Sequence, residues 1–222
     1  WILRHIPGEH QTLLFSATLD GAVDTLIKRY QRDPVLHEVA SAQVTVEEME
    51  HRFLLVHAMD KVRVAAAIAR PADRTMMFVN TKRAADRLVR ELGREGVRAA
   101  AIHGDLRQRD RERALADFAR GKLPVLVATD VAARGIHVDD VEVVVHVDPP
   151  EDHKTYLHRS GRTARAGESG VVVTLVLWNE ELAVRRMQRR LGLDQPIVEM
   201  FSNDPRLADL AGWDPSAERV QV

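Results

Sequence analysis

Short apolar runs alternate with amphipathic segments from about Thr75 onward, and few folds accept that pattern. Residues 75–79, 97–102, 124–128, 141–147 and 171–177 are each long enough for a buried strand and too short for a core helix. After the first run, Asn80 or Thr81 can cap a helix in which Ala84, Ala85, Leu88, Val89 and Leu92 recur at helical spacing, with Gly93 as its stop. Residues 107–120 read as another helix ending at Gly121, and 180–190 as a helix with a strongly basic side. Strands that are apolar throughout must be covered on both faces. Alternation with helices therefore implies an α/β fold, a parallel sheet flanked by helices on both faces.

The first forty residues read as a separate piece, with a strand over 12–16, a helix over 19–31 and a turn at Arg32-Asp33-Pro34. A strand over 51–57 and a helix over 59–70 follow. Past Gln195, with Pro196, Pro205 and Pro215, the chain reads as irregular with one short helix. The expected organisation is 1–40, 41–192 and an acidic tail over 193–222.

Charge is informative only by position. The 222 residues carry 32 Lys+Arg and 33 Asp+Glu, a net charge of -1 that taken whole argues against a polyanion partner. Yet residues 82–122 hold twelve Lys/Arg against seven Asp/Glu, and 154–165 hold four basic residues and no acid. Past Gly192, six acids face Arg206 and Arg219. An acidic end cancels a basic middle, and the middle is where a phosphate partner belongs. The absence of Cys excludes a disulfide scaffold, a thiolate metal site and Cys catalysis. The longest apolar run, 171–178, falls short of the roughly 18 residues that span a bilayer. No signal sequence opens the chain, so it reads as cytoplasmic with no membrane partner.

In open parallel sheets, ligands bind at the carboxyl ends of strands. The loops there are Asn80-Thr81-Lys82, His103-Gly104-Asp105, Thr129-Asp130 and the stretch from Asp148-Pro149-Pro150. Hydroxyls, exposed amides and helix N-termini suit anions; ordinary helix caps use the same residues. The strongest constellation is Tyr156-Leu157-His158-Arg159-Ser160-Gly161-Arg162-Thr163-Ala164-Arg165-Ala166-Gly167. Arg162 and Arg165 are three apart and project from one face of a helical turn, a pairing that suits a triphosphate.

These residues resemble the second RecA-like lobe of DEAD-box RNA helicases. His158 to Gly167 looks like motif VI and Val125 to Gly135 like motif V. Met77-Phe78-Val79-Asn80-Thr81-Lys82 is similar to motif IV, and His103-Gly104-Asp105 with Gln108 and Arg111 to the motif after it. Ser16-Ala17-Thr18 resembles motif III, which ends the first lobe. The five motifs stand in order between residues 12 and 170. Ile136-His137-Val138 and the high Arg content are similar to the bacterial RhlE-like subgroup.

The resemblance implies a RecA-like (P-loop NTPase-like) sheet and a set of roles. Arg162 and Arg165 would be arginine fingers on the γ-phosphate of ATP. Thr81, Gly104, Gln108, Arg111, Thr129 and Gly135 would hold the RNA backbone. Ser16, Thr18, Arg134 and His158 would couple the lobes, and Gly135 with position 137 would meet the nucleotide. The family places an Asp at this position, which in its closed complexes reaches the nucleotide ribose, where this chain has His137; the departure puts that contact in question and implies nucleotide coupling that is weaker or pH-sensitive. A metal site at His137, His146, His153 and His158 is rejected, because they fall on different elements with no supporting carboxylate spacing.

The chain contains no G-x-x-x-x-G-K-[ST]; its one Gly-Lys, Gly121-Lys122, is followed by Leu123. Nor does it contain Asp-Glu-Ala-Asp. The resemblance therefore implies that the ligands of ATP and Mg²⁺ in those motifs lie on a missing N-terminal RecA-like lobe, and that this chain is inactive alone. Two alternatives stand beside the helicase lobe. One is a non-catalytic module that binds nucleic acid or a partner such as a ribosomal or RNA-decay assembly. The other is the lobe of a DNA translocase.

Overall fold

The computed structural model describes residues 5–6, 8, 10–16, 22–37, 49–133, 138, 141–163 and 170–218. The chain divides into two units, Trp1–Ala42 and Gln43–Val222. In the first, helix α1 (Ala22–Tyr30) is shorter than the expected 19–31, of which 19–21 lie outside the described residues. The expected strand over 12–16 is absent there: residues 11–16 have no regular structure and Phe15 is 91% exposed. An apolar run becomes a strand only with a ladder partner, and the described residues of this unit contain no second strand.

The second unit holds seven described strands: β1 (Met49–Leu55), β2 (Thr75–Phe78), β3 (Ala99–Ile102), β4 (Val125–Ala128), β5 (Val143–His146), β6 (Gly170–Val176) and β7 (Ile197–Glu199). All pairings are parallel, in the order β3-β4-β2-β5-β6-β1-β7. Every residue of β2, β4, β5 and β6 is buried, as the unbroken apolar runs require. The connecting helices are α2 (Lys61–Ala69), α3 (Lys82–Arg94), α4 (Gln108–Ala119), α5 (Asp130–Ala133), α6 (His153–Ser160) and α7 (Glu181–Leu191). No described helix is long and apolar enough to cross a membrane.

Two buried clusters show which face each helix covers. Val64 and Ile68 of α2 and Ala85, Leu88 and Leu92 of α3 pack on one side. Phe118 of α4, Ala132 of α5, Tyr156 of α6 and Val184 and Met187 of α7 pack on the other. The chain therefore leaves β2 toward one face, while the flanking strands β4 and β5 send theirs to the other. The carboxyl end of β2 is a topological switch point, the place where such sheets bind ligands.

The stretch expected as an acidic tail is largely part of this unit. β7 pairs with β1, and Met200, Leu207 and Leu210 are buried in the core. Arg52 of β1 donates to the carbonyls of Leu210 (2.9 Å) and Ala211 (3.4 Å). The guanidinium groups of Arg52 and Arg206 stand 5.9 and 5.2 Å from the ring centre of Trp213. Gly93 does not stop α3, which ends at Arg94.

Candidate functional site

Asp152 caps α6 by accepting from the amides of Lys154 (2.8 Å) and Thr155 (2.9 Å). The Thr155 amide and hydroxyl and the Lys154 amide hold its carboxyl below the usual carboxylate range, against the opposing effect of burial. Within α6, Tyr156, Arg159 and Ser160 are buried at i, i+3 and i+4 spacing. A charge on that inward face is tolerable only if fully paired, and Arg159 is.

Arg159 is 2% exposed. Its Nε donates to Asp130 Oδ1 (2.7 Å), and its Nη2 to Asp130 Oδ2 (2.9 Å) and Asn80 Oδ1 (2.9 Å). Its Nη1 donates to the carbonyl of Asp148 (2.7 Å), and its guanidinium stands 5.4 Å from the Phe78 ring centre. One side chain thus clamps the ends of β2, β4 and β5, on both sides of the switch point. The Asp148 carboxylate closes the network, accepting from the Asn80 amide (3.0 Å) and from Lys61 Nζ (3.2 Å) at the start of α2. A forked, planar donor set is needed for this; an ammonium could not reach all three loops.

Arg162 follows directly. It is partly buried, and its amide donates to the Arg159 carbonyl at 3.3 Å. The next hydroxyl, of Thr163, donates to the carbonyl of Val141 at 2.5 Å. The turn carrying Arg162 is thereby held at both ends. Arg165, Arg134, Gly135, His137 and Thr18 lie outside the described residues.

The strand-end loops bring several expected residues to the same edge. Exposed Thr81 caps α3, its hydroxyl accepting from the Ala84 amide (3.1 Å), which decides between the two caps considered above. Gly104 is exposed after β3; a Cβ there would stand 3.6 Å from Lys82 Cε and Nζ, an ordinary contact, so no steric demand explains the glycine. Lys82 pairs with Asp105 beside it, and that bond, more than the nearby charges, lowers the Asp105 pKa. His103 is buried, its Nε2 2.9 Å from Asp86 Oδ1, which ties the loop to α3. Thr129 is buried after β4, and its carbonyl accepts from the amides of Ala132 and Ala133.

The remaining expected residues are less available or lie elsewhere. Gln108 is exposed but bonded to Glu112 (2.9 Å). Arg111 donates to the Ala132 carbonyl (2.7 Å), bracing α5 from α4. His158 is exposed on α6, and Ser16 is exposed in the first unit. Among the described residues no three His, Asp or Glu side chains are grouped as a metal site. His146 is enclosed, its Nδ1 3.2 Å from Thr174 Oγ1 and its ring centre 4.8 Å from that of Tyr156. Burial, then the charges of Arg159 and His51, push its pKa well down, which keeps it neutral and fit for a core.

A parallel sheet with a basic, polar edge at its switch point, and a buried arginine tying that edge together, describes a helicase-type RecA-like domain. Residues 55–167 match the family described as the helicase conserved C-terminal domain, and the chain belongs to that family, in its DEAD-box RNA helicase branch. It is 38% identical over 190 residues to the DEAD-box ATP-dependent RNA helicase CshA of Geobacillus kaustophilus, covering 85% of this chain and 41% of that protein. Over 226 residues it is 35% identical to the ATP-dependent RNA helicase RhlB of Xanthomonas axonopodis pv. citri, covering 100% of this chain and 38% of that one. The chain thus spans about two fifths of the length of these curated relatives. Among solved structures it is similar to Saccharomyces cerevisiae Dbp5 bound to RNA and ADP BeF3. The TM-score is 0.72 at 31% identity, over 91% of this chain and 54% of that one. It also matches a structure of the C-terminal domain of the DEAD-box protein Dbp5, with TM-score 0.64 and 31% identity, covering 73% of this chain and 96% of that domain.

Proposed function

We propose that this chain is the lobe of an ATP-dependent RNA helicase that supplies arginine fingers to ATP and one half of the RNA-backbone groove. The observation that carries the reading is the Arg159 clamp. Electrostatic catalysis requires charges fixed before the reaction, so that no reorganisation is needed when charge develops. The clamp holds the turn bearing Arg162 rigid against the loops bearing Thr81 and Thr129. Arg162 would meet the γ-phosphate, with Arg165 beside it. Thr81, Gly104, Gln108, Thr129 and Gly135 would grip phosphates and sugars, a sequence-indifferent mode suited to unwinding. Arg111 enters this list differently, as a brace for α5 that leaves its neighbours presented.

ATP fits an edge of this kind, since polar and basic residues gathered after the strands at a switch point suit phosphates. Mg²⁺ does not fit the described residues, which offer no carboxylate cluster, and its ligands are proposed on a preceding lobe. Residues 1–40 are read as the end of that lobe, with Ser16, Thr18, Arg134 and His158 coupling the two. Ion and cradle supply charge neutralisation when bound; this chain's part is to orient and clamp. The test is ATP turnover by the purified chain with and without single-stranded RNA. No hydrolysis above background is expected, and turnover at the rate of a complete helicase would overturn the division of labour.

A further inference from the structure

We propose that the outward face of α7, entered through Trp178, is a second contact surface for single-stranded RNA, beyond the strand-end groove; it rests on the RNA-helicase reading above. Strand β6 lies beside β5, whose end carries Asp148, so Trp178 emerges at the same sheet edge one strand past the Arg159 network. Trp178 is 83% exposed and Leu182, one helical turn on, is 60% exposed. Val184, Met187 and Gln188 face inward and fix the helix on the sheet, and Gln188 Nε2 donates to the Gln195 carbonyl (2.8 Å).

The exposed face past Leu182 is basic in an unusual way. Arg185 is neutralised by Glu181, with both Nε and Nη2 on one carboxylate oxygen (2.9 and 2.8 Å). The guanidinium groups of Arg186, Arg189 and Arg190 have no ion-pair or hydrogen-bond partner among the described residues, and the three residues line a shallow open hollow of about 270 Å³. A merely solvated helix face intersperses carboxylates at i±4, as Glu181 does for Arg185. Three unpaired arginines at turn spacing, in line with a bare indole, match an alternation of phosphate and base instead. Guanidinium groups would take successive phosphates, and the indole a base face. An acidic polypeptide would satisfy the arginines but leave Trp178 without a stacking partner, so the combination favours RNA.

The experiment is a fluorescence-anisotropy titration of labelled oligouridylate, about 20 nucleotides long, with the whole chain over a range of salt. Trp178→Ala should weaken binding about tenfold. The triple reversal Arg186→Glu/Arg189→Glu/Arg190→Glu should weaken it more than tenfold and lower the log–log salt slope by about two, since each single-strand phosphate contact contributes roughly 0.7. All four positions are exposed, so the fold should survive, as thermal melts will show. If these variants bind like wild type while Thr81→Ala/Gln108→Ala binds weakly, the α7 surface is overturned and the groove stands. If the wild-type chain binds no oligouridylate, or binds polyglutamate more tightly, the proposal also fails, and the face belongs to a protein partner. The helicase reading is judged separately, by ATP turnover.

Discussion

Arg159 is the residue on which the account turns. Its four donated bonds join segments 79, 29 and 11 residues away in sequence and so tie three strand ends together. Removing it leaves the Asp130 carboxylate, about a third exposed, and the Asp148 carbonyl without their donor. Breaking one side of a buried pair typically costs about 3–5 kcal/mol. Arg159→Ala should therefore lower stability in urea by about 3 kcal/mol, and Arg159→Lys by less, since it keeps the charge and loses the fork. Losses below about 1 kcal/mol for Arg159→Ala would show that the clamp is not structural. Its partners were visible in sequence only as polar residues after apolar runs. The buried spacing of Tyr156, Arg159 and Ser160 was the available signal, obscured because the same segment invited attention to Arg162 and Arg165.

At the scale of elements, the C-terminal segment is the clearest departure from expectation. Trp213 sits half-buried on the core with Arg52 and Arg206 over its ring. Arg206 is in turn held by Asp204 (2.7 Å) and Glu218; these bonds, that of Asp204 foremost, raise its pKa, and the bond from Arg206 lowers that of the Asp204 carboxyl. Full truncation of a buried aromatic costs about 3–5 kcal/mol. At this half-buried site Trp213→Ala should cost about 2 kcal/mol by chemical denaturation, and an unchanged midpoint would mean that the segment is not fastened. The sequence hid β7 because three residues beside Pro196 carry too little period to register. The residues at 12–16 misled in the opposite direction: Leu13, Leu14 and Phe15 look like a strand, but apolarity supplies no ladder partner. By contrast β2, β4, β5 and β6 were legible, because strands buried on both faces must be apolar throughout.

For the whole molecule, the near-neutral total charge conceals an asymmetry that the fold uses. Acidic residues after Gly192 serve local caps and pairs: Asp204 caps the turn Pro205–Ala208, and Glu218 holds Arg206. The basic middle supplies the strand-end edge and the arginines of α3 and α4. The family was recognisable from five ordered motifs, while the site's rigidity was not, because it depends on contacts that only the sheet order creates. In the proposed mechanism a pre-fixed Arg162 acts on the nucleotide while the rest of the edge holds RNA. RNA-stimulated ATP turnover by the full-length protein carrying Arg162→Ala tests it most directly. Arginine fingers in phosphoryl transfer are worth about a thousandfold or more in kcat. A loss of that order with RNA affinity retained is expected; turnover within about tenfold of wild type would rule out the finger role of Arg162.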